Sequence, residues 1–386
     1  MENKNLTFLE AAAIVTGYGI GGGIMAVPYL ASLSGIIPMF IILFLAFGIS
    51  LIFHLMTAEI MLRDGQNEQI IEMFSKYMLK GKITKYILWF LFAVIVLSFI
   101  ASLSAFIAGG GENLNNLFPV LPLWAGHCIV YFIAAGVVFF GLKAIGISEK
   151  YGVAAIFVFV IILLASSIRH GLVFKPEVVG AFKYQIALFG MMMFSFFALF
   201  SVPQVVTGLS WNKKLIPKAI AFGMALNCIV IITIVLICMG ASGGMITKFA
   251  MNGLANVLGG WVKYFSSLFV LLAMLTTYWS VSFALAVVVQ ERLGWNQRIS
   301  WLVATLPSFI IVISKATDFL GFMQIAGGTI AILIVIMMIP LYTIVKKKGV
   351  VTEPEWQLGF FGKPLFQALV IIAFILMAAG SLVKVD

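Results

Sequence analysis

The sequence predicts an all-α integral membrane protein of about eleven transmembrane helices, built as a five-plus-five inverted repeat in which helices 1 and 6 are broken. Three observations predict it. The chain of 386 residues is 63% hydrophobic and 10% charged, with mean hydropathy +1.15, a balance foreign to soluble domains. Apolar segments of bilayer-spanning length recur from one end to the other, separated by short polar links. Within the first of them runs Gly17-Tyr18-Gly19-Ile20-Gly21-Gly22-Gly23, followed by Pro28. Such a run cannot be good continuous helix. A break in lipid leaves backbone groups unpaired at several kcal/mol each, so it must face protein, a water-filled cavity or a ligand.

The expected helices lie near 8–33, 36–62, 84–109, 122–143, 150–170, 184–209, 215–240, 258–292, 298–315, 318–345 and 364–384. The longest polar stretches, Arg63–Lys85 and Lys346–Lys363, are too short for a soluble domain. Helix 3 is expected to end at Gly109-Gly110-Gly111, read as a cap and turn. Helix 5 is taken to run from Tyr151 to Ser167, with Lys150 and Arg169 at its ends. The stretch from Gly240 to Gly260 is read as a short hairpin or helix over the outer mouth, or as a plain surface loop.

Helix 6 carries a second interruption, Phe194-Ser195-Phe196-Phe197-Ala198-Leu199-Phe200-Ser201-Val202-Pro203. Pro203 removes a helical donor, and Ser195 and Ser201 are placed to satisfy freed backbone groups. Taken alone it reads as a kink. Its position five helices after the first break gives it meaning: five is odd, so a second repeat enters the membrane from the opposite side. Two discontinuous helices then meet at the midplane. The expected division is residues 1–171 for the first repeat, 172–348 for the second and 349–386 for an additional helix 11.

Net charge is +10, and most Lys and Arg residues fall on one side when the N-terminus is placed inside. The positive-inside rule therefore gives N-in, C-out, in a multi-pass protein of the plasma (inner) membrane. The basic balance needs no nucleic acid; Lys346–Lys348 is read as an anchor on anionic lipid. Cys128, Cys228 and Cys238 lie in apolar helices at no metal-ligand spacing and read as small core residues. The N-terminus, with Glu2 and Glu10, has no cleavage pattern. No catalytic constellation, metal cluster or Walker motif is arguable, so the chain is expected not to be an enzyme or an ATP-driven pump, and no cofactor is expected.

Ile20-Gly21-Gly22-Gly23-Ile24 resembles the helix 1 motif of the amino acid–polyamine–organocation superfamily. The continuation Met25-Ala26-Val27-Pro28-Tyr29 is similar to the amino acid/auxin permease branch, in particular to bacterial aromatic and hydroxy amino acid permeases, and Phe196–Ser201 resembles the helix 6 break of the same group. The resemblance implies the LeuT-like inverted repeat and alternating-access transport of a small neutral amino acid. It places the substrate carboxylate on the N–H groups of Gly21, Gly22 and Gly23, at the positive end of the second half of helix 1. The ammonium would meet carbonyls around Gly17 and Tyr18 and those of Phe194, Ser195 and Phe197, with Ala198 and Phe200 completing the helix 6 side and Ser102 reaching in from helix 3. Phe197 and Phe200 would close over the substrate. A plain alternative is that the glycines form a helix-packing face.

In helix 8, Ala273, Thr276 and Thr277 share one face at i, i+3 and i+4. With carbonyls of Thr16 and Gly19 they offer oxygens for a small monovalent cation, an arrangement that resembles the sodium site of LeuT-like symporters. The alternative is that both threonines bond back to their own helix. Na+ is the expected coupling ion and H+ the rival. Glu10, His54, Glu59 and His127 are the other ionisable groups in apolar helices; Glu10 and Glu59 are also placed to pair with Lys4 and Arg63 at the interface. A receptor of the same fold that binds an amino acid without moving it, as in spore-germination receptor subunits, is the reading from another class. Oligomeric state is not legible.

Overall fold

The computed structural model describes residues 5–21, 23–66, 68–79, 84–174, 179–241, 246, 254–255, 257–315 and 319–383. Among these residues the chain forms fourteen α-helices and no strand. Every predicted apolar segment is helical. The first is split into α1 (Phe8–Ile20) and α2 (Gly23–Ser34); the second is α3 (Ile36–Asp64). After the amphipathic α4 (Ile70–Met78) come α5 (Thr84–Leu117), α6 (Leu123–Phe139) and α7 (Leu142–His170). The sixth segment is split into α8 (Phe182–Ser195) and α9 (Ser201–Gly208). The rest are α10 (Ile216–Ala241), α11 (Trp261–Leu293), α12 (Gln297–Ile313), α13 (Phe319–Lys348) and α14 (Pro364–Ser381).

Six helices among the described residues are long and apolar enough to cross a membrane: α3, α5, α7, α10, α11 and α14. The halves of the broken segments are individually too short, as the breaks require. α1 opens with a reciprocal cap. Thr7 Oγ1 accepts the Glu10 N–H at 3.3 Å, and Glu10 Oε2 accepts the Thr7 N–H at 2.9 Å, satisfying two of the donors a helix start leaves open. α3 ends at Gly65, whose φ of 73° closes the helix on the Met61 carbonyl, a conformation glycine adopts without strain.

Three boundaries differ from expectation. The polar stretch after Arg63 contains α4, which buries Ile70, Ile71, Met73 and Phe74 and is tied down by Lys76 on Asp64 at 2.6 Å. α5 does not stop at Gly109–Gly111 but continues to Leu117. The glycines there serve packing: a Cβ on Gly126 of α6 would stand 2.8 Å from the Gly111 carbonyl oxygen, so the two helices approach backbone to backbone. α7 starts at Leu142, eight residues before the expected segment, and so takes in Lys143, Glu149 and Lys150. The expected element between Gly240 and Gly260 falls largely outside the described residues.

The core is the set of faces that surround the two breaks. α1 packs against α7, α9, α10 and α11, and α2 packs against α8 and α10. Gly23 sits on Ser195: a Cβ at Gly23 would be 3.2 Å from the Ser195 Cα. The break in the first segment therefore touches the break in the sixth.

Candidate functional site

The first break is made by residues that let neighbours come to the backbone. α1 ends at Ile20, Gly21 caps it, and α2 resumes at Gly23; Gly22 lies outside the described residues. Gly17 is approached by the Glu149 carboxylate, which a Cβ there would overlap, and by Thr276 Cβ at 3.1 Å from that position. A Cβ on Gly21 would stand 2.8 Å from Thr277 Oγ1. Gly19 faces the Asn227 amide and the Ser195 carbonyl. Successive glycines thus meet α7, α10 and α11 in turn, and only a chain without Cβ atoms fits between them.

The second break runs from Phe196 to Phe200. Several of the backbone groups it frees have identifiable partners. The Phe197 N–H donates to the Phe194 carbonyl at 3.0 Å, and the Ala198 carbonyl accepts both the Ser201 N–H at 3.0 Å and its hydroxyl at 2.6 Å. The Ala198 N–H donates to His54 Nε2 at 2.9 Å. His54 Nδ1 lies 2.6 Å from the Ser50 carbonyl, an acceptor, so it carries the proton and the imidazole is neutral. The Ser195 carbonyl, left open at the end of α8, accepts Asn227 Nδ2 at 2.8 Å. Pro203 stands in the first turn of α9, where its missing N–H costs no hydrogen bond. Ser195 Oγ bonds back to the Met191 carbonyl at 2.8 Å, within its own helix.

A small cavity of about 20 Å³ lies between the breaks, walled by Tyr18, Gly21, Gly23, Ser102, Phe194 and Phe197 from the predicted set, with Gly19 and Thr277 beside them. Phe106 and Val281 also line it, and among the described residues no charged side chain does. Gly17, Ser195, Ala198 and Phe200 are not in its wall. A second cavity of about 620 Å³, within the range of small-molecule sites, is bounded by Phe200, Pro203 and Gln204 of the sixth segment and by Gln290, Glu291 and Gln297 at the facing ends of α11 and α12. Phe200 also lines a small apolar pocket with Ser98, Leu199 and Met337. Its ring lies 6.3 Å from that of Phe197 and 4.5 Å from that of Phe99, centroid to centroid. Phe200 is thus the shared wall between the wide cavity and the interior.

On α11, Thr277 Oγ1 donates to the Gly17 carbonyl at 2.8 Å and to the Ala273 carbonyl at 3.0 Å. Thr276 Oγ1 lies 3.1 Å from the Ala273 carbonyl and 3.5 Å from that of Gly17. Ala273, Thr276, Thr277 and the Gly17 carbonyl therefore form one oxygen cluster at the end of α1. The Thr16 hydroxyl points the other way, to the Ala12 carbonyl at 2.9 Å and the Gly223 carbonyl at 3.0 Å.

Residues 4–380 match the tryptophan/tyrosine permease family. The chain belongs to that family. Two solved structures share the permease's fold. MhsT in complex with L-phenylalanine has TM-score 0.68 and 14% identity, over 98% of this chain and 99% of that one. Mhp1, a nucleobase-cation-symport-1 family transporter in a closed conformation with bromovinylhydantoin bound, has TM-score 0.67 and 14% identity, over 98% of this chain and 92% of that one. No curated protein sequence matches it. The permease is accordingly a multi-pass membrane transporter with the LeuT-like fold, its first and sixth transmembrane segments discontinuous, rather than an enzyme.

Four residues of the permease's interior carry roles that the sequence left unassigned. His54 and Asn227 hold the sixth segment open, Phe106 faces the small cavity, and Glu149 is fully buried against Gly17 with Ser280 donating to its Oε1 at 2.7 Å. A signal for Glu149 was present. Leu142, Ile145, Gly146, Glu149, Gly152, Val153 and Ile156 recur at three- and four-residue spacing, and all are buried, which extends the apolar stripe of the fifth segment upstream through the carboxylate. Of the other ionisable groups, Glu10 pairs with Lys143 at 2.6 Å, Lys4 lying outside the described residues. Glu59 pairs with Arg63 at 2.8 Å. His127 is buried, packed on Gly111.

Proposed function

We propose that the permease carries a neutral aromatic amino acid by alternating access, coupled to a monovalent cation at the junction of α1 and α11. The observation that carries the reading is the uncharged cavity where the two broken segments touch. A zwitterion needs donors for its carboxylate and acceptors for its ammonium. Unwound helix ends supply both, and a wall without charged side chains suits a neutral substrate. The carboxylate is assigned to the start of α2, at Gly21, Gly22 and Gly23. The ammonium is assigned to carbonyls of Gly17, Tyr18 and the Phe194–Phe197 turn, with Ala198 and Phe200 beside it, and the side chain to Ser102, Phe106 and Val281. The family points to an aromatic side chain, and the helix 1 motif favours the amino acid/auxin permease branch.

Residues 1–171 and 172–348 serve as the two inverted repeats, with 349–386 as the added helix. With the N-terminus cytoplasmic in the plasma membrane, the wide cavity opens to the cytoplasm, since Arg63, Arg292 and Arg298 stand at the same end. The cavity between the breaks is too small for an amino acid, so the substrate enters it only as Phe197 and Phe200 move. Thermal stabilisation of the purified protein by L-tryptophan, L-tyrosine and L-phenylalanine, read beside counterflow of the same compounds in proteoliposomes, tests the reading. Stabilisation with counterflow supports it. Stabilisation without counterflow would make the protein a receptor, and neither would remove the amino acid assignment.

A further inference from the structure

Glu149 takes no part in the substrate contacts assigned above, yet its side chain is fully buried at the meeting of α1, α7 and α11. Oε1 accepts the Ser280 hydroxyl at 2.7 Å. Oε2 has no hydrogen-bond partner among the described residues and lies against Gly17, in the last turn of α1 before the break. The Gly17 carbonyl in turn accepts the Thr277 hydroxyl. The carboxyl therefore touches both the hinge of the first segment and the hydroxyl cluster of α11.

A buried carboxylate demands a compensating charge, and its cost without one is several kcal/mol. Among the described residues none is paired with it. On α7 itself, Lys143 is held by Glu10 at 2.6 Å, and Lys150 lies 4.9 Å over the ring of Tyr151. The titratable groups of α1 are Glu10 and Tyr18, and those of α10 within its buried face are Cys228 and Cys238. On α11 the neighbours of Glu149 are the uncharged Thr276 and Ser280. Tyr278 lies between them in sequence, Tyr264 lies well up the helix, and Lys263, Glu291 and Arg292 stand at its two ends. α6 carries His127, Cys128 and Tyr131. Among the described residues none of these titratable groups is a hydrogen-bond or ion-pair partner of Glu149; its one such partner is the uncharged Ser280 hydroxyl. An intramembrane acid without a fixed counter-charge is by default a functional-site candidate, and a proton is the charge that can neutralise it with no further side chain.

We propose that Glu149 is the coupling-ion site of the permease, taking up one proton on Oε2 and releasing it on the other side of the membrane as α1 moves. The step is carboxylate plus proton to carboxylic acid, with no other bond made or broken. A proton fits better than sodium. The Thr276 and Thr277 hydroxyls are donated to carbonyls, the Ser280 hydroxyl is donated to Glu149 itself, and none of the three cavities described above is lined by Glu149 or Thr276. A sodium ion needs several oxygens turned onto it with room between them; a proton needs one oxygen. Ser280, whose hydroxyl holds Glu149, also accepts Gln204 Nε2 on its backbone carbonyl at 2.9 Å, and Gln204 lines the wide cavity, so one residue of α11 and one of α9 separate Glu149 from that cavity's wall.

The proposal rests on the transporter reading, so its test separates the two. Infrared difference spectra between low and high pH need no substrate. They are expected to show a carboxylic-acid C=O band in the native protein that is absent in Glu149→Gln. Identical spectra in the two proteins would overturn the proposal. In proteoliposomes with L-tryptophan in choline medium, an imposed pH gradient is expected to drive accumulation. Glu149→Gln should lower that accumulation about tenfold or more, while counterflow, which needs no net proton movement, persists. Undiminished gradient-driven accumulation in Glu149→Gln would overturn the proposal. Accumulation driven by a sodium gradient and not by pH would overturn it in favour of a sodium ligand. Should Glu149→Gln fail to insert, Ser280→Ala removes only the donor to Oε1 and is expected to move the pH of half-maximal uptake; an unmoved profile would overturn the proposal. Absence of counterflow in the native protein, with the infrared band present, would count against the transporter reading alone.

Discussion

His54 and Ala198 are joined across 144 residues of sequence by one hydrogen bond, from the Ala198 N–H in the sixth segment's break to His54 Nε2 on α3 at 2.9 Å. A broken helix in a membrane has to place its freed donors somewhere, and this one is placed on an imidazole whose other nitrogen is anchored to the Ser50 carbonyl. His54→Ala removes the acceptor and leaves a buried amide unpaired. The expected loss is about 1–3 kcal/mol of stability, read as a lowered midpoint of thermal unfolding in detergent. His54→Gln, which keeps an acceptor on a longer side chain, should recover part of it. An alanine variant as stable as the native protein would show that the break does not depend on this bond.

Gly21 and Thr277 make a second testable pair. A methyl at Gly21 would stand 2.8 Å from Thr277 Oγ1 and 3.1 Å from its Cγ2. Thr277 cannot swing away without giving up the Gly17 and Ala273 carbonyls. Gly21→Ala is therefore expected to weaken aromatic amino acid binding, and adding Thr277→Ala should restore part of the loss. A double-mutant cycle should give a coupling of about 1 kcal/mol or more. Strict additivity would separate the two residues.

Glu59 illustrates an intramembrane acid whose role is structural. Its carboxylate holds Arg63 at 2.8 Å, and its Oε2 accepts the Tyr342 hydroxyl at 2.8 Å and the Leu358 N–H at 3.1 Å. The four groups tie α3 to α13 and to the link before α14. Glu59→Ala leaves a buried guanidinium with its main partner gone, and the expected cost is about 3–5 kcal/mol. Glu59→Gln should cost less. Uptake measured per folded molecule should keep its substrate preference in the glutamine variant; a change of preference would give Glu59 a part in selection.

The transmembrane segments were legible because apolar run length is a local property, and the first break was legible because five clustered glycines have few uses in a bilayer. The second break was weaker in sequence: its phenylalanines look like any others in a chain that holds 35. Tyr18, Gly21, Gly23, Ser102, Phe194 and Phe197, which the sequence reading placed together, line one cavity. What the sequence hid was contributed from far away. His54 and Asn227 lie on helices that cross the sixth segment's break, and no spacing rule connects them to Ala198 or Ser195. Glu149 was hidden differently, by its neighbours: Lys143, Ser148 and Lys150 made the first two turns of α7 look like a polar link. The short amphipathic α4 was hidden the same way, its four buried apolar residues lying among charges.

Phe200 offers the last test, because it borders the wide cavity, the apolar pocket and, through its contact with Phe197, the cavity between the breaks. If the ring is the inner barrier to substrate, shortening it should open the path without touching the backbone contacts assigned to the zwitterion. Phe200→Leu keeps an apolar side chain of lower volume. The expected stability loss is smaller than the roughly 3–5 kcal/mol of a phenylalanine cut to alanine. Counterflow of L-tryptophan should quicken, while accumulation under an imposed gradient should fall, since a barrier that no longer closes lets substrate return. Initial rate and steady-state accumulation measured on the same proteoliposomes separate these effects. Equal losses in both would make Phe200 a packing residue, and the barrier would then have to be sought at Phe197.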